Sequence, residues 1–278
     1  MEKRRLKPAA FIKRYLRILV AGTILLIIFG IAIFAPLIAT HDPMDVNPYE
    51  RNKLPDDNNL LGTDYLGRDI FSRIIYGSRT SLIISISVQA LAVIIGTVLG
   101  LLCGYFRKVD MILMRVLEAL NALPTILLAI VMATVLGPGV DKLIFTLVIV
   151  NLPGIARLVR SQVLSIKEQE HVECARASGA SNARIIFKYI LPMCTSPLII
   201  RFTGGLAGNI LTQASLSFLG VGIDPRLPNW GGIINDGKQM IFSQPGQCAY
   251  PGFAIIITVL AFSILGDGVR DALDPKLR

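Results

Sequence analysis

The stretch TSLIISISVQALAVIIGTVLGLLCGYF, residues 80–106, has no charged side chain in 27 consecutive positions. A helix of that length extends about 40 Å, and the hydrocarbon core of a bilayer is roughly 30 Å thick. The stretch is therefore predicted to cross a membrane as a helix.

The whole chain has the composition of a membrane protein. Hydrophobic residues make up 53% and charged residues 17%, and the mean hydropathy is +0.61, whereas about a quarter of the residues in a soluble domain are charged. The fourth uncharged stretch has 14 residues and covers only about 21 Å, so Asp141, Lys142 and Arg157 are expected at its two interfaces. We predict an all-α membrane protein with six transmembrane helices, in the stretches 18–40, 80–106, 119–140, 143–156, 202–223 and 239–266.

The lysines and arginines predict the orientation, because they are retained on the cytoplasmic side. Seven of the first 17 residues are Lys or Arg. With this end inside, the inner segments hold 19 basic residues and the outer ones 8, and Arg201 is assigned to neither side. Both termini are predicted to be cytoplasmic, and the first span is read as an uncleaved anchor, since its apolar run exceeds that of a signal peptide. The net charge of +9 therefore reflects topology, and we expect no nucleic-acid partner.

The spans divide the chain into four parts. These are a basic cytoplasmic amino terminus (1–17), a first helix with an outer segment (18–40 and 41–79), a five-helix core (80–266) and a cytoplasmic tail (267–278). In the outer segment, Leu66, Ile70, Phe71, Ile74 and Ile75 recur at helical spacing. They predict an amphipathic helix at the outer interface, with its charges on the opposite face at Arg68, Asp69 and Arg73.

Glycines recur every fourth residue in two spans, at Gly96, Gly100 and Gly104 and at Gly204 and Gly208. Such rows let helices approach closely. The pattern is compatible with packing inside the chain and with contact to a second subunit.

No pattern typical of a catalytic or metal site occurs. His41 and His171 fall on opposite sides of the membrane in this topology, and the four cysteines have no paired spacing. The motifs GxxxxGK[ST], GxSxG and HExxH are absent. We expect no catalytic residue, no metal and no cofactor bound by this chain.

The segment HVECARASGASNARIIFKYILP, residues 171–192, is polar although it joins two apolar spans. Gly179 is expected to end one helix and Ser181 or Asn182 to cap the next, while Pro192 begins the fifth span. An ordinary solvated loop is one interpretation. The other interpretation is a surface that docks against another protein, because small residues leave room for a partner to approach closely. These small residues are Ala175, Ala177, Gly179, Ala180 and Ala183.

This segment resembles the EAA loop of ABC-importer permeases. Glu173-Cys174-Ala175, then Gly179, then Leu191-Pro192 follow that pattern, with Cys174 in place of an alanine and Tyr189 in place of an isoleucine. GTDYLGRDIFSRIIYGSRTSL, LTQASLSFLGVGIDPRLPNWG and LGDGVRDALDPKLR resemble signatures of the C-type permease of dipeptide, oligopeptide and nickel importers. The resemblance covers the chain from about residue 18 onward.

The resemblance implies a type I importer permease in a bacterial or archaeal cytoplasmic membrane. Its partners would be a second, homologous permease, two cytoplasmic ATPases that use ATP and Mg, and an extracytoplasmic solute-binding protein. The coupling loop would span 165–190, and the implied contact residues are Glu173, Cys174, Ala175, Arg176, Ser178, Gly179, Ala180, Leu191 and Pro192.

Polar groups within spans tend to face an interior or a water-filled cavity. Five on the fifth span are therefore candidates for a solute path: Arg201, Asn209, Thr212, Gln213 and Ser215. Hydrogen bonds between helices, or snorkelling for Arg201, explain them equally well.

Three alternatives stay open at this point. A nickel-chelate or glutathione importer shares the signatures of a peptide importer. A membrane-embedded enzyme is a rival of a different class, but it would need converging catalytic groups within the spans, and the sequence shows none.

Overall fold

The computed structural model describes residues 8–273, with side chains from residue 16 onward. Residues 1–7 of the basic amino-terminal segment and the last five residues of the tail lie outside the described residues. Within them the chain is helical apart from connecting segments and one isolated bridge between Thr63 and Asp69. The α-helices are α1 (Pro8–Ile33), α2 (Ala35–Ile38), α3 (Ile70–Tyr105), α4 (Arg107–Asn121), α5 (Thr125–Leu136), α6 (Val140–Ile166), α7 (Glu170–Ala177), α8 (Asn182–Arg184), α9 (Leu191–Phe218), α10 (Trp230–Gly237) and α11 (Gly246–Leu273).

Five of the described helical segments are long and apolar enough to cross a membrane as continuous helices. A sixth crossing requires α4 and α5 together, and these meet at an angle of 91°. The prediction of a third span as one helix over 119–140 is therefore wrong in its extent. Pro124 explains the break, because it disfavours helical backbone at the residue before it. The apolar part, α5, has 12 residues and covers only about 18 Å.

The glycine row on α3 packs against α6 within the chain. A Cβ added to Gly100 would lie 2.5 Å from the Cβ of Val159, and one added to Gly104 would lie 2.5 Å from the Cβ of Val163. Real Cβ atoms do not approach that closely, so these glycines are needed for the α3–α6 contact. Of the two uses that the sequence left open for the first glycine row, packing inside the chain is therefore the one that the structure has.

The second span begins ten residues before its predicted start, so the helix expected at the outer interface is the outer end of α3. Asp69 caps this helix, since its Oδ2 accepts a hydrogen bond from the Ser72 amide at 2.8 Å. The prediction that Arg68, Asp69 and Arg73 form a solvated face is wrong, because all three are at most 3% exposed.

Two buried arginines and two aspartates form an ion cluster at this outer end. The Arg68 guanidinium donates to Asp64 at 2.7 Å and to Asp236 of α10 at 2.8 Å. Arg73 donates to the same Asp236 oxygen at 3.0 Å. The cluster joins the outer segment to α10, which lies more than 160 residues further along the chain. Burial without pairing would cost several kcal/mol per charge, so the arginines are held inside by these aspartates.

Helix α10 lies against the outer halves of α3 and α9. Trp230 at its start is 2% exposed, and its indole donates to the Ile74 carbonyl at 3.1 Å. A Cβ at Gly231 would lie 2.2 Å from the Ala214 carbonyl oxygen, so α10 approaches the α9 backbone directly. The position of α10 is therefore fixed from both neighbouring spans.

Candidate coupling loop and solute path

The loop between α6 and α9 is built from two short helical pieces separated by a glycine. Helix α7 ends in a Schellman motif, in which Gly179 has a φ of +78°. The Gly179 amide donates to the Arg176 carbonyl at 3.0 Å, and the Ala180 amide donates to the Ala175 carbonyl at 3.1 Å. Both carbonyls of the last turn are thereby satisfied, as is usual for a glycine at this position.

The next helix begins where the sequence predicts it. The Ser181 hydroxyl accepts a hydrogen bond from the Arg184 amide at 3.4 Å and caps α8. A π-helical turn over Ile185–Ile190 connects α8 to α9. From Asn182 to Phe218 the chain is therefore one helical segment of 37 residues, which leads from the loop into the fifth span.

One face of α7 is embedded in the chain itself. Val172 is fully buried and Ala175 is 7% exposed. Val172 belongs to an apolar cluster that includes Val163, Ile166 and Ile185. Ala175 therefore does not belong to the open docking surface predicted for the small residues.

The opposite face of the loop is open. The exposed residues among the predicted contacts are Glu173, Cys174, Arg176, Ser178, Gly179 and Pro192. Ala180 and Leu191 are half-buried and pack against the same cluster as α7.

A polar cavity of about 340 Å³ lies between the open face and the inner ends of the spans. Two acids and two bases line it, namely Glu168, Glu173, Lys167 and Arg176, together with Tyr105. The Tyr105 hydroxyl donates to Asn182 at 2.8 Å, and Lys167 donates to the Gly104 carbonyl at 3.2 Å. These bonds fasten the loop to the inner end of α3.

Helix α9 divides the five predicted solute-path residues between two faces. Arg201 and Ser215 are exposed, Thr212 is half-buried, and a Cβ at Gly204 or Gly208 would meet no atom within 4 Å. Five positions, three or four residues apart, form one continuous strip on this face: Arg201, Gly204, Gly208, Thr212 and Ser215. We call them the open strip.

Asn209 and Gln213 lie on the face of α9 that packs against α3. Asn209 is 4% exposed and donates to Gln89 at 2.9 Å, while Gln213 is 1% exposed and donates to Ser81 at 3.4 Å. The two amides therefore form hydrogen bonds between helices and do not line the open strip.

Gln89 is the centre of this polar contact, although no sequence motif marks it. It is 1% exposed and its amide also donates to the Arg201 carbonyl at 3.0 Å. Asn151 of α6 completes the group by donating to Asn209 at 3.2 Å. The position of Gln89 within the uncharged stretch 80–106 could have indicated this role, since polar side chains inside a bilayer need hydrogen-bond partners.

Two family models match the chain. The model for "Binding-protein-dependent transport system inner membrane component" matches residues 96–278, and the model for "N-terminal TM domain of oligopeptide transport permease C" matches residues 17–55.

Curated relatives match over nearly the full length. The chain is 44% identical over 249 residues to the dipeptide transport system permease protein DppC of Alkalihalophilus pseudofirmus, covering 89% of this chain and 82% of that one. It is 41% identical over 273 residues to the glutathione transport system permease protein GsiD of Pectobacterium atrosepticum, covering 96% and 91%.

A solved structure of the MetNI methionine ABC transporter in an inward-facing conformation has a similar fold. The TM-score is 0.58 at 21% identity, over 73% of this chain and 96% of that one. The fold is thus that of a type I ABC importer permease, as the sequence resemblance implied. The chain belongs to the family of binding-protein-dependent transport system inner membrane components, as a multi-pass permease of the dipeptide and oligopeptide C type.

Proposed function

We propose that this chain is one permease subunit of an ATP-driven importer in a bacterial or archaeal cytoplasmic membrane. It pairs with a second, homologous permease, receives solute from an extracytoplasmic binding protein, and is driven by two cytoplasmic ATPases. ATP and Mg are used by the ATPases, and this chain contributes movement without chemistry.

The one-sided burial of α7 carries the proposal. Val172 ties the helix to the apolar cluster of the chain, so force applied to the open face is transmitted to the spans. Glu173 and Arg176 on that face offer charge-assisted hydrogen bonds to a partner protein. An ordinary solvated loop would not need an apolar anchor on one side and an open helix face on the other.

The helical segment from Asn182 to Phe218 connects this face to the open strip. At ~1.5 Å per residue it is about 55 Å long, which exceeds the bilayer core. A rotation imposed at the loop would be carried along this segment, as rigid-body alternating access requires. Movement of the ATPases would thereby open and close the face that bears Arg201, Thr212 and Ser215.

We further propose di- or oligopeptides as the solute. At its outer end the open strip widens into a groove of about 520 Å³, lined by Leu211, Phe218, Leu219 and Ile234 among others. Apolar walls beside the hydroxyl of Ser215 suit a ligand with a polar backbone and variable side chains. Glutathione is the second candidate, because a relative that is 41% identical over 273 residues carries that name. A nickel chelate remains the alternative from the family resemblance.

Copurification and coupled ATP hydrolysis test the role of the loop. Glu173→Ala removes one charged contact, so we expect ATPase affinity to fall by about 1–3 kcal/mol, or roughly 5- to 150-fold. Gly179→Val should act at least as strongly, since a β-branched residue disfavours the positive φ. Both variants should insert normally because the loop lies outside the bilayer. Asp57→Ala, an exposed acid in the outer segment, is the matched control.

A Glu173→Ala, Gly179→Val double variant that retains its ATPases and transports normally would refute the coupling role. A preparation in which the chain is active without an ATPase would favour the enzyme class instead. Competition of labelled dipeptide uptake by unlabelled glutathione or a nickel chelate, measured with the cognate binding protein, distinguishes the three solutes.

A further inference from the structure

Helix α4 exposes two different strips side by side. One is mainly charged and carries Arg107, Lys108, Arg115 and Glu118, all of them exposed, with the exposed Met111 among them. The other is apolar, with Ile112 at 69% and Val116 at 55% exposure. The third side of the helix is buried, where Met114 and Leu117 pack against Cys103 and Ala156. A helix in water would not leave the apolar strip uncovered, and a spanning helix would not carry the charged one.

The ion pair that anchors α4 places it at the inner boundary of the membrane. Arg160 of α6 donates to both carboxylate oxygens of Asp110, one of them at 2.7 Å. Arg160 lies about 30 Å along α6 from its outer end at Val140, which is the thickness of the bilayer core. This depth agrees with the inner side assigned from the basic residues.

The bend after α4 sets its direction. The helix makes an angle of 91° with the apolar helix α5. If α5 runs along the membrane normal with the other spans, α4 lies in the membrane plane. The 12 residues of α5 cover about 18 Å, and the non-helical residues 122–124 and 137–139, at up to about 3.3 Å each, supply the rest of the distance to the outer end of α6. The charged strip then faces the lipid headgroups and water, and the apolar strip faces the acyl chains.

We propose that α4 is an interfacial helix that binds anionic lipid, with Arg107, Lys108 and Arg115 contacting phosphodiester headgroups and Ile112 and Val116 inserted among acyl chains. The charged strip has three basic residues and one carboxylate, Glu118, so its net charge of +2 complements an anionic leaflet. Amphipathic helices with basic polar faces bind at this depth through buried apolar area together with attraction to anionic lipid. Because the Asp110–Arg160 ion pair joins α4 to α6, lipid binding at α4 would affect the position of α6 through this contact.

Site-specific fluorescence tests the placement of the two strips. A cysteine-free full chain, with the four native cysteines replaced by serine, is labelled with bimane at Ile112→Cys or at Glu118→Cys and reconstituted in nanodiscs. The Ile112 label should be quenched by spin-labelled lipid and protected from aqueous iodide. The Glu118 label should show the reverse.

The same Ile112 label measures lipid preference. Spin-labelled phosphatidylglycerol should quench it at least about threefold more effectively than spin-labelled phosphatidylcholine. An Arg107→Gln, Lys108→Gln, Arg115→Gln variant should bring this ratio close to one. An Arg51→Gln, Arg226→Gln, Lys238→Gln variant, which loses the same charge at exposed outer positions, should leave the ratio unchanged.

Three results would overturn the proposal. Quenching of both labels by iodide would place α4 in water. Protection of the Ile112 label from both lipid and iodide would mean that protein covers the apolar strip. A ratio of one in the unmodified strip would show that the helix contacts lipid without preferring anionic headgroups.

Discussion

Removing Asp236 should release the outer segment from α10. Its Oδ2 accepts hydrogen bonds from Arg68 at 2.8 Å and from Arg73 at 3.0 Å, and both arginines are at most 3% exposed. Asp236→Ala leaves two buried positive charges with Asp64, which is 3.7 Å from Arg73. Breaking a buried pair in this way costs about 3–5 kcal/mol.

Hydrogen exchange of the outer segment measures this loss. The amides of Asn52, Thr63 and Asp64 donate to backbone carbonyls within the segment and should open locally once the cluster is broken. A loss of about 3–5 kcal/mol corresponds to exchange that is roughly 100- to 4,000-fold faster, up to the limit set by full exposure. The measurement is made by mass spectrometry on the full chain in nanodiscs.

Two comparisons make the test specific to the buried charges. Asp224→Ala breaks an exposed pair with Arg226, which is 85% exposed, so exchange should change less than about fivefold. An Arg73→Met, Asp236→Leu variant removes one charge of each sign and leaves the Arg68–Asp64 pair, so it should exchange more slowly than Asp236→Ala. Unchanged protection in Asp236→Ala, or equal effects of Asp236→Ala and Asp224→Ala, would refute the reasoning.

Three further changes test other parts of the molecule. Gly100→Leu should prevent stable folding, measured by thermal aggregation in detergent, because its Cβ would lie 2.5 Å from that of Val159. Gly204→Ala should be tolerated, because its Cβ would meet no atom within 4 Å. Equal stability of the two variants would contradict the packing assigned to α3 and α6. Arg201→Leu should abolish uptake while the complex still assembles, and Arg201→Lys should alter uptake less; normal transport by the leucine variant would reduce Arg201 to a snorkelling residue. In the cysteine-free chain, Asn58→Cys should react with an impermeant thiol reagent from outside intact cells and Ser181→Cys should not, and the opposite result would overturn the orientation taken from the basic residues.

Local features of the coupling loop could be predicted from the sequence, because neighbouring residues decide them. A glycine followed by a serine cap predicts a helix end and a new start, and the structure has the positive φ at Gly179 and the cap at Ser181. Which face of α7 is open could not be predicted in the same way. Val172 is buried against Val163 and Ile185, which come from other parts of the chain, and no local pattern indicates their positions.

The sequence by itself determined the membrane class, the approximate spans and the family. These depend on composition and on motif order, which act through the bilayer as solvent and need no knowledge of packing. It also predicted a break near the coupling loop, where backbone preferences are local.

Only the tertiary structure decided which polar residues face one another. Arg68 and Arg73 have the spacing of a solvated helix face, yet they are buried because Asp236, more than 160 residues away in sequence, supplies the compensating charge. Likewise, Asn209 and Gln213 lie on a different side of α9 from Thr212 and Ser215, and Gln89 and Ser81 of α3 are their partners there. The cost of burying a polar group depends on the partner opposite it, and that partner is brought there by the fold.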